Sequence, residues 1–208
     1  MKIFDPEGML MQVLGKLSDI VLINITFVLL SLPVLTIGAS ITAMYECCFS
    51  LIEDTEDVFL PRQFFKSFIK NWKRGTGSWA VTLVGIAFLG SYSWVTGFFD
   101  GTLGRMYTIT FWILIFLFAF GVQYVFPLIA QTDMKLVPIW KHAWKLAVLA
   151  LPWSLLNLVI IVGLSVLATM MIPANTALYL WAFVFFGLIT FFSSFVVRKV
   201  FQNYGGDK

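Results

Sequence analysis

Charged residues are scarce in this sequence and absent from long stretches of it. Only 12% of its 208 residues are Asp, Glu, Lys or Arg, whereas 60% are hydrophobic. Soluble proteins carry about a quarter charged residues. No charged residue or histidine occurs in residues 20–45, 75–99, 106–132 or 146–197. Because about 20 apolar residues cross a bilayer as a helix, the sequence predicts an all-α polytopic transmembrane helix bundle, one integral membrane domain over residues 1–208.

The residues that carry most enzyme chemistry are scarce as well. The chain has one histidine, His142, and two cysteines, Cys47 and Cys48, whose adjacency excludes a disulfide framework. No group of His, Cys, Asp and Glu has the spacing of a metal site, and no phosphate-binding glycine loop is present. We therefore expect no enzyme activity and no cofactor, and no nucleic acid among the partners of this protein.

The longest charge-free window, residues 146–197, exceeds the length of a single membrane crossing. Its 52 residues are interrupted by the sequence Pro-Ala-Asn-Thr at residues 173–176, which is typical of a turn. This predicts one crossing over residues 146–171 and another over residues 177–197. The four windows therefore contain at least five crossings.

The first window leaves the choice between five and six crossings open, because Pro33 and Gly38 lie near its middle. Proline disfavours helix at the residue before it, and glycine adopts the conformations that a tight reversal needs. We predict a helix over residues 16–32, a structural turn over residues 33–40 and a short second helix over residues 41–52. The prediction is thus about six membrane helices, with five as the alternative.

The basic residues favour six crossings, because Lys and Arg are retained on the cytoplasmic side of a membrane. With six crossings, thirteen of the 14 basic residues lie on one side and Arg105 alone lies on the other. With five crossings the division is eleven to three. We therefore expect a multi-pass protein of the cell membrane with its N- and C-termini in the cytoplasm.

Two basic segments, residues 60–79 and 136–153, resemble each other. In each, a proline is followed by two lysines four residues apart, and each lysine has a bulky residue before it. These lysines are Lys66 and Lys70 in the first segment and Lys141 and Lys145 in the second. Four-residue spacing places both lysines on one helix face. We predict two cytoplasmic amphipathic elbow helices, with their lysines towards anionic lipid headgroups.

Each basic segment follows one predicted crossing and leads into the next. This order suggests a helix–elbow–helix repeat at residues 41–97 and 106–172, although the composition of a membrane interface explains the same match. The elbows either anchor the protein in the lipid bilayer or dock on a partner protein. The candidate lipid or partner contacts are Lys66, Lys70, Trp72, Lys73, Lys141 and Lys145.

Glu46 is the one acidic residue that we place in the interior of a predicted crossing. Because a carboxylate inside a membrane is costly and is usually retained for function, Glu46 and Asn24 form a candidate intramembrane polar site for ion coupling or partner pairing. In the alternative interpretation, Glu46 lies near the inner surface with the acidic residues of segment 53–57. Asn24 equally fits a hydrogen bond between helices.

Several motifs in the first 80 residues resemble the YesL-like family, known as domain of unknown function 624. They are Asn24, the Ser31-Leu32-Pro33 turn, residues 36–40, Tyr45, and the segments Phe65-Lys66-Ser67-Phe68 and Asn71-Trp72-Lys73. The rest of the chain resembles the family in its length and in the order of its hydrophobic segments.

The resemblance implies a small bacterial multi-pass membrane protein, from a family often encoded beside carbohydrate ABC transporters and glycoside-degrading enzymes. The family has no defined catalytic activity and no established active site, so the resemblance implies neither for this chain. We therefore predict an accessory component of carbohydrate uptake or utilisation, which contacts an ABC transporter permease or its regulator. The alternative is a small transporter or channel in which Asn24 and Glu46 line a polar path.

The predicted topology can be tested with a reporter fused after Asn175, in the turn between the last two predicted crossings. We expect alkaline phosphatase to be active at this position, because the orientation places the turn outside the cell. Green fluorescent protein at the same position should stay dark. Fluorescence there would reverse the assignment of inside and outside.

Overall fold

The fold is described by a computed structural model over residues 9–53, 60–171 and 181–204. Within these residues the chain is helical and has no strand. The helices are α1 (Met9–Leu30), α2 (Ile37–Ile52), α3 (Leu60–Thr96), α4 (Gly101–Val122), α5 (Val125–Gln131), α6 (Leu136–Leu149), α7 (Leu151–Met171) and α8 (Phe186–Tyr204). A 3-10 turn (Val34–Thr36) precedes α2, and a π-helical turn (Trp181–Phe185) precedes α8.

Helices of membrane-spanning length make up most of the described chain. Five stretches are long and apolar enough to cross a bilayer, and they are Val34–Ile52, Leu60–Thr96, Gly101–Gln131, Leu151–Met170 and Phe183–Tyr204. Helix α1 precedes them and has 22 residues, which span about 33 Å. The predicted all-α membrane bundle is confirmed, and α1 with the five stretches matches the order of the six predicted helices.

The connection between α1 and α2 is shorter than the sequence predicts. Pro33 lies in the turn as expected, but α2 already begins at Ile37 and includes Gly38. The Thr36 hydroxyl closes the turn, since it donates to the carbonyl oxygens of Leu30 (2.5 Å) and Pro33 (2.7 Å). The prediction of a turn over residues 33–40, with Gly38 as a turn residue, was therefore wrong in its second half.

Gly38 instead permits a close crossing of α2 and α3. A Cβ atom built on Gly38 would overlap the carbonyl oxygen of Gly75 and lie 2.6 Å from the Cβ of Trp79. A Cβ atom built on Gly75 would lie 2.6 Å from the Cα of Ala39. The two backbones thus approach closely because neither glycine has a side chain, as is common where membrane helices cross.

This crossing fixes the alignment of the antiparallel helices α2 and α3. The contacting pairs along the two helices are Val34 with Trp79, Gly38 with Gly75, Glu46 with Ser67, and Ser50 with Gln63. Helix α2 therefore lies beside residues 60–79 of α3, which are the basic half of that helix. Of the five stretches, Val34–Ile52 has the largest buried share, at 61%, because α1, α3, α5 and α8 all contact α2.

Helix α3 differs from the sequence prediction, because the first elbow is not a separate helix. All 37 residues from Leu60 to Thr96 form one helix, about 55 Å long. Pro61 lies in its first turn, where proline is tolerated, and no later proline interrupts it. The hydrocarbon core measures about 30 Å, so the basic half extends beyond one straight crossing.

The second predicted elbow is a separate helix, α6, which ends at Leu149, and Ala150 separates it from α7. Pro152 occupies the first turn of α7, and the Ser154 hydroxyl donates to the Ala147 carbonyl oxygen (2.9 Å) at the break. The first basic segment thus continues into the rest of α3 without a break, whereas the second is separated from α7 by a break. The repeat at residues 41–97 and 106–172 stays a prediction.

The predicted crossing over residues 106–132 consists of two helices, α4 and α5, because Pro127 cannot donate to the carbonyl oxygen of Gln123. The chain turns at Gln123 and Tyr124. Helix α5 enters the protein interior, where a buried cluster joins it to α2, α6 and α8. The cluster includes Tyr45, Phe49, Tyr124, Val125, Phe126, Leu128, Ile129, Ile139, Val197 and Val200.

Some of the sequence predictions concern residues outside the described part of the chain. They are the turn at residues 173–176, the acidic residues of segment 54–57, and the basic residues Lys2 and Lys208. Cys47 and Cys48 are described, and both are buried and free.

The close crossing of α2 and α3 can be tested by the substitution Gly75→Leu. We expect the free energy of unfolding to fall by about 1–3 kcal/mol, because the added side chain would force the two backbones apart. The control is Gly90→Leu on the same helix, where no atom lies within 4 Å of an added Cβ. Thermal unfolding of the detergent-purified variants gives the comparison, and equal losses would contradict the close crossing.

Candidate functional site

The carboxylate of Glu46 lies at the interface between α2 and α3, half buried. Its Oε2 atom accepts hydrogen bonds from the Ser67 hydroxyl (2.5 Å) and from the side-chain amide of Asn71 (3.3 Å). Both donors are buried. A partly desolvated carboxylate needs such donors, because hydrogen bonds replace the water that it loses. Glu46 is therefore held in a defined position by α3.

One face of α3 supplies a row of neutral polar side chains at four-residue spacing. This inner row consists of Gln63, Ser67 and Asn71, and it faces α2. Besides the two bonds to Glu46, the Gln63 side-chain amide donates to the Ser50 hydroxyl (2.5 Å). The inner row thus joins α3 to two polar positions of α2, which are one helical turn apart.

A second row of α3, beside the first, is cationic. This cationic row consists of Arg62, Lys66 and Lys70, all of them exposed. A pocket of about 610 Å³ is lined by Glu46, by the cationic row, and by Gln63 and Ser67 of the inner row. Among the described residues, neither Arg62 nor Lys66 has an ion-pair partner, whereas Lys70 lies 4.0 Å from Asp133.

Arg74 continues the polar network from α3 to the connection between α5 and α6. Its guanidinium donates to Asn71 Oδ1 (2.6 Å), to the carbonyl oxygen of Thr132 (2.6 Å) and to Asp133 Oδ1 (3.0 Å). The amide of Asn71 therefore donates to Glu46 at one end and accepts from Arg74 at the other. This network connects the carboxylates of Glu46 and Asp133 through the hydrogen-bonded side chains of Asn71 and Arg74.

Asn24 lies apart from this network. It is fully buried, and its Oδ1 accepts a hydrogen bond from the backbone amide of Gly187 (2.6 Å). Gly187 follows the π-helical turn at Trp181–Phe185, where the regular helical hydrogen-bond pattern is interrupted. Asn24 thus satisfies a backbone donor within the bundle, and the structure does not join Asn24 and Glu46 into one site.

The remaining predicted contact residues are exposed but lie outside the pocket lining. Trp72 packs edge-on against Phe68, with ring centroids 5.3 Å apart, and Lys73 is exposed on the same helix. Lys141 and Lys145 are exposed on α6. Of the six predicted contact residues, the structure therefore places only Lys66 and Lys70 at the pocket.

Sequence reasoning assigned no role to several residues of this site, namely Gln63, Ser67, Asn71, Arg74 and Asp133. The four-residue spacing of Gln63, Ser67 and Asn71 indicates one helix face, and the same spacing occurs in the cationic row beside it. This polar face could have been predicted from the sequence. Asp133 gives no such signal, because it reaches Arg74 from 59 residues away.

The family resemblance is confirmed for the part of the chain that contains this site. Residues 20–91 match the family described as a protein of unknown function, DUF624, and the match supports assignment to this family. The matched segment contains α2 and every residue that lines the pocket. No curated protein and no solved structure matches the chain.

The role of Arg74 can be tested by comparing Arg74→Met with Asp133→Asn. We expect Arg74→Met to lower the free energy of unfolding by about 2 kcal/mol, because it leaves the Asn71 and Thr132 oxygens without their donor. Asp133→Asn should cost less than about 1 kcal/mol, because the Asp133 side chain is 81% exposed. Unfolding in a detergent titration, followed by tryptophan fluorescence, measures both. A larger loss for Asp133→Asn would contradict this description.

Proposed function

We propose, on the premise that this chain is a membrane protein of the DUF624 type, that it is an accessory component of carbohydrate uptake or utilisation at the cell membrane. It would bind a permease of the ABC type, or the regulator of that permease, through its cytoplasmic basic surface. The carbohydrate part of this proposal comes from the family resemblance, because the matching family is itself of unknown function.

The observation that carries the binding role is the cationic row of α3. Arg62 and Lys66 are exposed and have no ion-pair partner among the described residues. Unpaired surface charges contribute little to the stability of the fold, so their concentration on one face of α3 is better suited to a partner. Exposed Phe65 and Ile69 lie between successive residues of the cationic row, and aromatic residues and Arg are enriched in protein interfaces.

The proposed orientation places this surface in the cytoplasm. The ion pair between Arg198 of α8 and Glu53 at the end of α2 (3.2 Å) brings two charged helix ends together. Arg74 similarly joins α3 to Asp133, which precedes the basic helix α6. This grouping of charged segments supports a common cytoplasmic side, as the positive-inside rule requires.

Transport of a solute by this chain alone is the second candidate function. The pocket beside Glu46 favours it, since small-molecule sites in helix bundles lie between helices and contain a few convergent polar groups. The hydrogen bonds of Asn24 and Glu46 argue against a shared path, because each side chain is held by a different helix. We therefore rank the accessory role first.

Site-specific crosslinking tests the accessory role directly. With p-benzoylphenylalanine in place of Lys66 or Lys141, we expect covalent adducts in native membranes that mass spectrometry identifies as an ABC permease subunit or its regulator. The control position is Val84, which is 71% exposed on the apolar half of α3. Adducts with the permease at position 84 alone would place the interface within the lipid bilayer and contradict a cytoplasmic contact.

Proteoliposomes that contain only this protein separate the two functions. We expect no uptake of radiolabelled mono- or oligosaccharides above the level of empty liposomes, and we expect Glu46→Gln to keep the permease adduct in native membranes. Saccharide uptake that Glu46→Gln abolishes would instead establish transport, because a solute path would need the carboxylate at its wall.

A further inference from the structure

We infer that the pocket between α2 and α3 binds a phosphate ester that also carries hydroxyl groups. The cationic row, Arg62, Lys66 and Lys70, would hold the phosphate, and Glu46 would accept a hydrogen bond from a hydroxyl group. The inference concerns a ligand of the purified protein and does not depend on the proposed protein partner.

The charges of the pocket lining favour an anion. Three of the six lining residues are cationic and one is anionic, so the pocket carries a net positive charge. The cations are spaced four residues apart, or about 6 Å along the helix axis, and their long side chains can converge on one tetrahedral group. Arg and Lys both bind phosphate oxygens through charge-assisted hydrogen bonds.

Glu46 makes a bare anion a poor fit and favours a ligand with hydroxyl groups. Both hydrogen bonds that Glu46 receives go to Oε2, so among the described residues Oε1 has no hydrogen-bond donor. A carboxylate oxygen without a donor accepts hydrogen bonds and repels other anions. The ligand that satisfies both parts of the pocket has a phosphate at one end and a hydroxyl donor at the other.

The size and setting of the pocket fit a small ligand of this kind. Its volume of about 610 Å³ lies within the range of roughly 300–1,000 Å³ for small-molecule sites. The ligand has two natural sources, which are a lipid headgroup such as that of phosphatidylglycerol and a free phosphorylated polyol. Phe65 and Ile69, exposed next to the cations, are compatible with a lipid, since they resemble the apolar part of an interfacial surface.

The experiment uses the full-length protein in nanodiscs of phosphatidylcholine. The soluble probes are glycerol 3-phosphate and inorganic phosphate, measured by isothermal titration calorimetry. The lipid probe is phosphatidylglycerol, measured as retained lipid by native mass spectrometry after mixed-lipid nanodiscs are dissolved. We expect at least one of the two phosphate esters to bind. Binding of glycerol 3-phosphate would identify a free phosphorylated polyol as the ligand, and binding of phosphatidylglycerol would identify a lipid headgroup.

Three variants test the assignment of the lining residues. Lys66→Gln should weaken the binding of the responding ester about tenfold or more, because it removes one charge-assisted contact. Lys73→Gln is the matched control, since Lys73 is exposed on the same helix but does not line the pocket. It should change the affinity less than twofold. Glu46→Gln should reduce the preference for the hydroxylated ester, measured against inorganic phosphate or, for the lipid, against phosphatidic acid.

Three results would overturn the inference. They are the absence of binding by both esters, an equal loss for Lys66→Gln and Lys73→Gln, and an unchanged preference in Glu46→Gln. Because both lysines are exposed, their variants are expected to fold like the wild-type protein, so the comparison stands even where Glu46→Gln alters the packing of α2. A failure here would leave the accessory role intact, because that role is read from permease adducts in native membranes.

Discussion

The contact between two residues without side chains determines how the rest of this protein is arranged. Where Gly38 of α2 meets Gly75 of α3, the helix backbones approach more closely than any larger residue would allow. The contact aligns the two antiparallel helices along the whole of α2, so that Glu46 lies opposite Ser67 and Asn71. A shift by one helical turn, about 5.4 Å, would separate the carboxylate from both donors and leave it half buried without them.

A second constraint comes from the membrane, which offers no water to unpaired backbone groups. The chain interrupts its helices at several points, and polar side chains bind the groups that each interruption frees. Thr36 donates to carbonyl oxygens at the end of α1, Ser154 does so at the break between α6 and α7, and Asn24 accepts from the backbone of α8. These three buried side chains therefore have a structural role within the bundle that needs no transport path.

The basic half of α3 carries the cationic row, which takes no part in these internal hydrogen bonds. The inner row of Gln63, Ser67 and Asn71 joins the helices, whereas the cationic row beside it is exposed along the pocket. One helix therefore carries a structural face and a binding face within four turns. The proposed partner contact and the inferred phosphate ester both depend on this division, and a ligand in the pocket would alter the surface that a partner protein meets.

The sequence by itself determined the hydrophobic helices, their order and the spacing of the lysines in α3 and α6, because each of these depends on residues close together in the chain. It did not determine the continuity of α3 through Gly75, since glycine permits both a break and a close helix contact. Only the tertiary structure decided that Glu46 meets Ser67 and Asn71, that Asn24 meets Gly187, and that Arg74 meets Asp133. These pairings depend on which helices are neighbours and at what height they cross, and the packing of distant segments sets both.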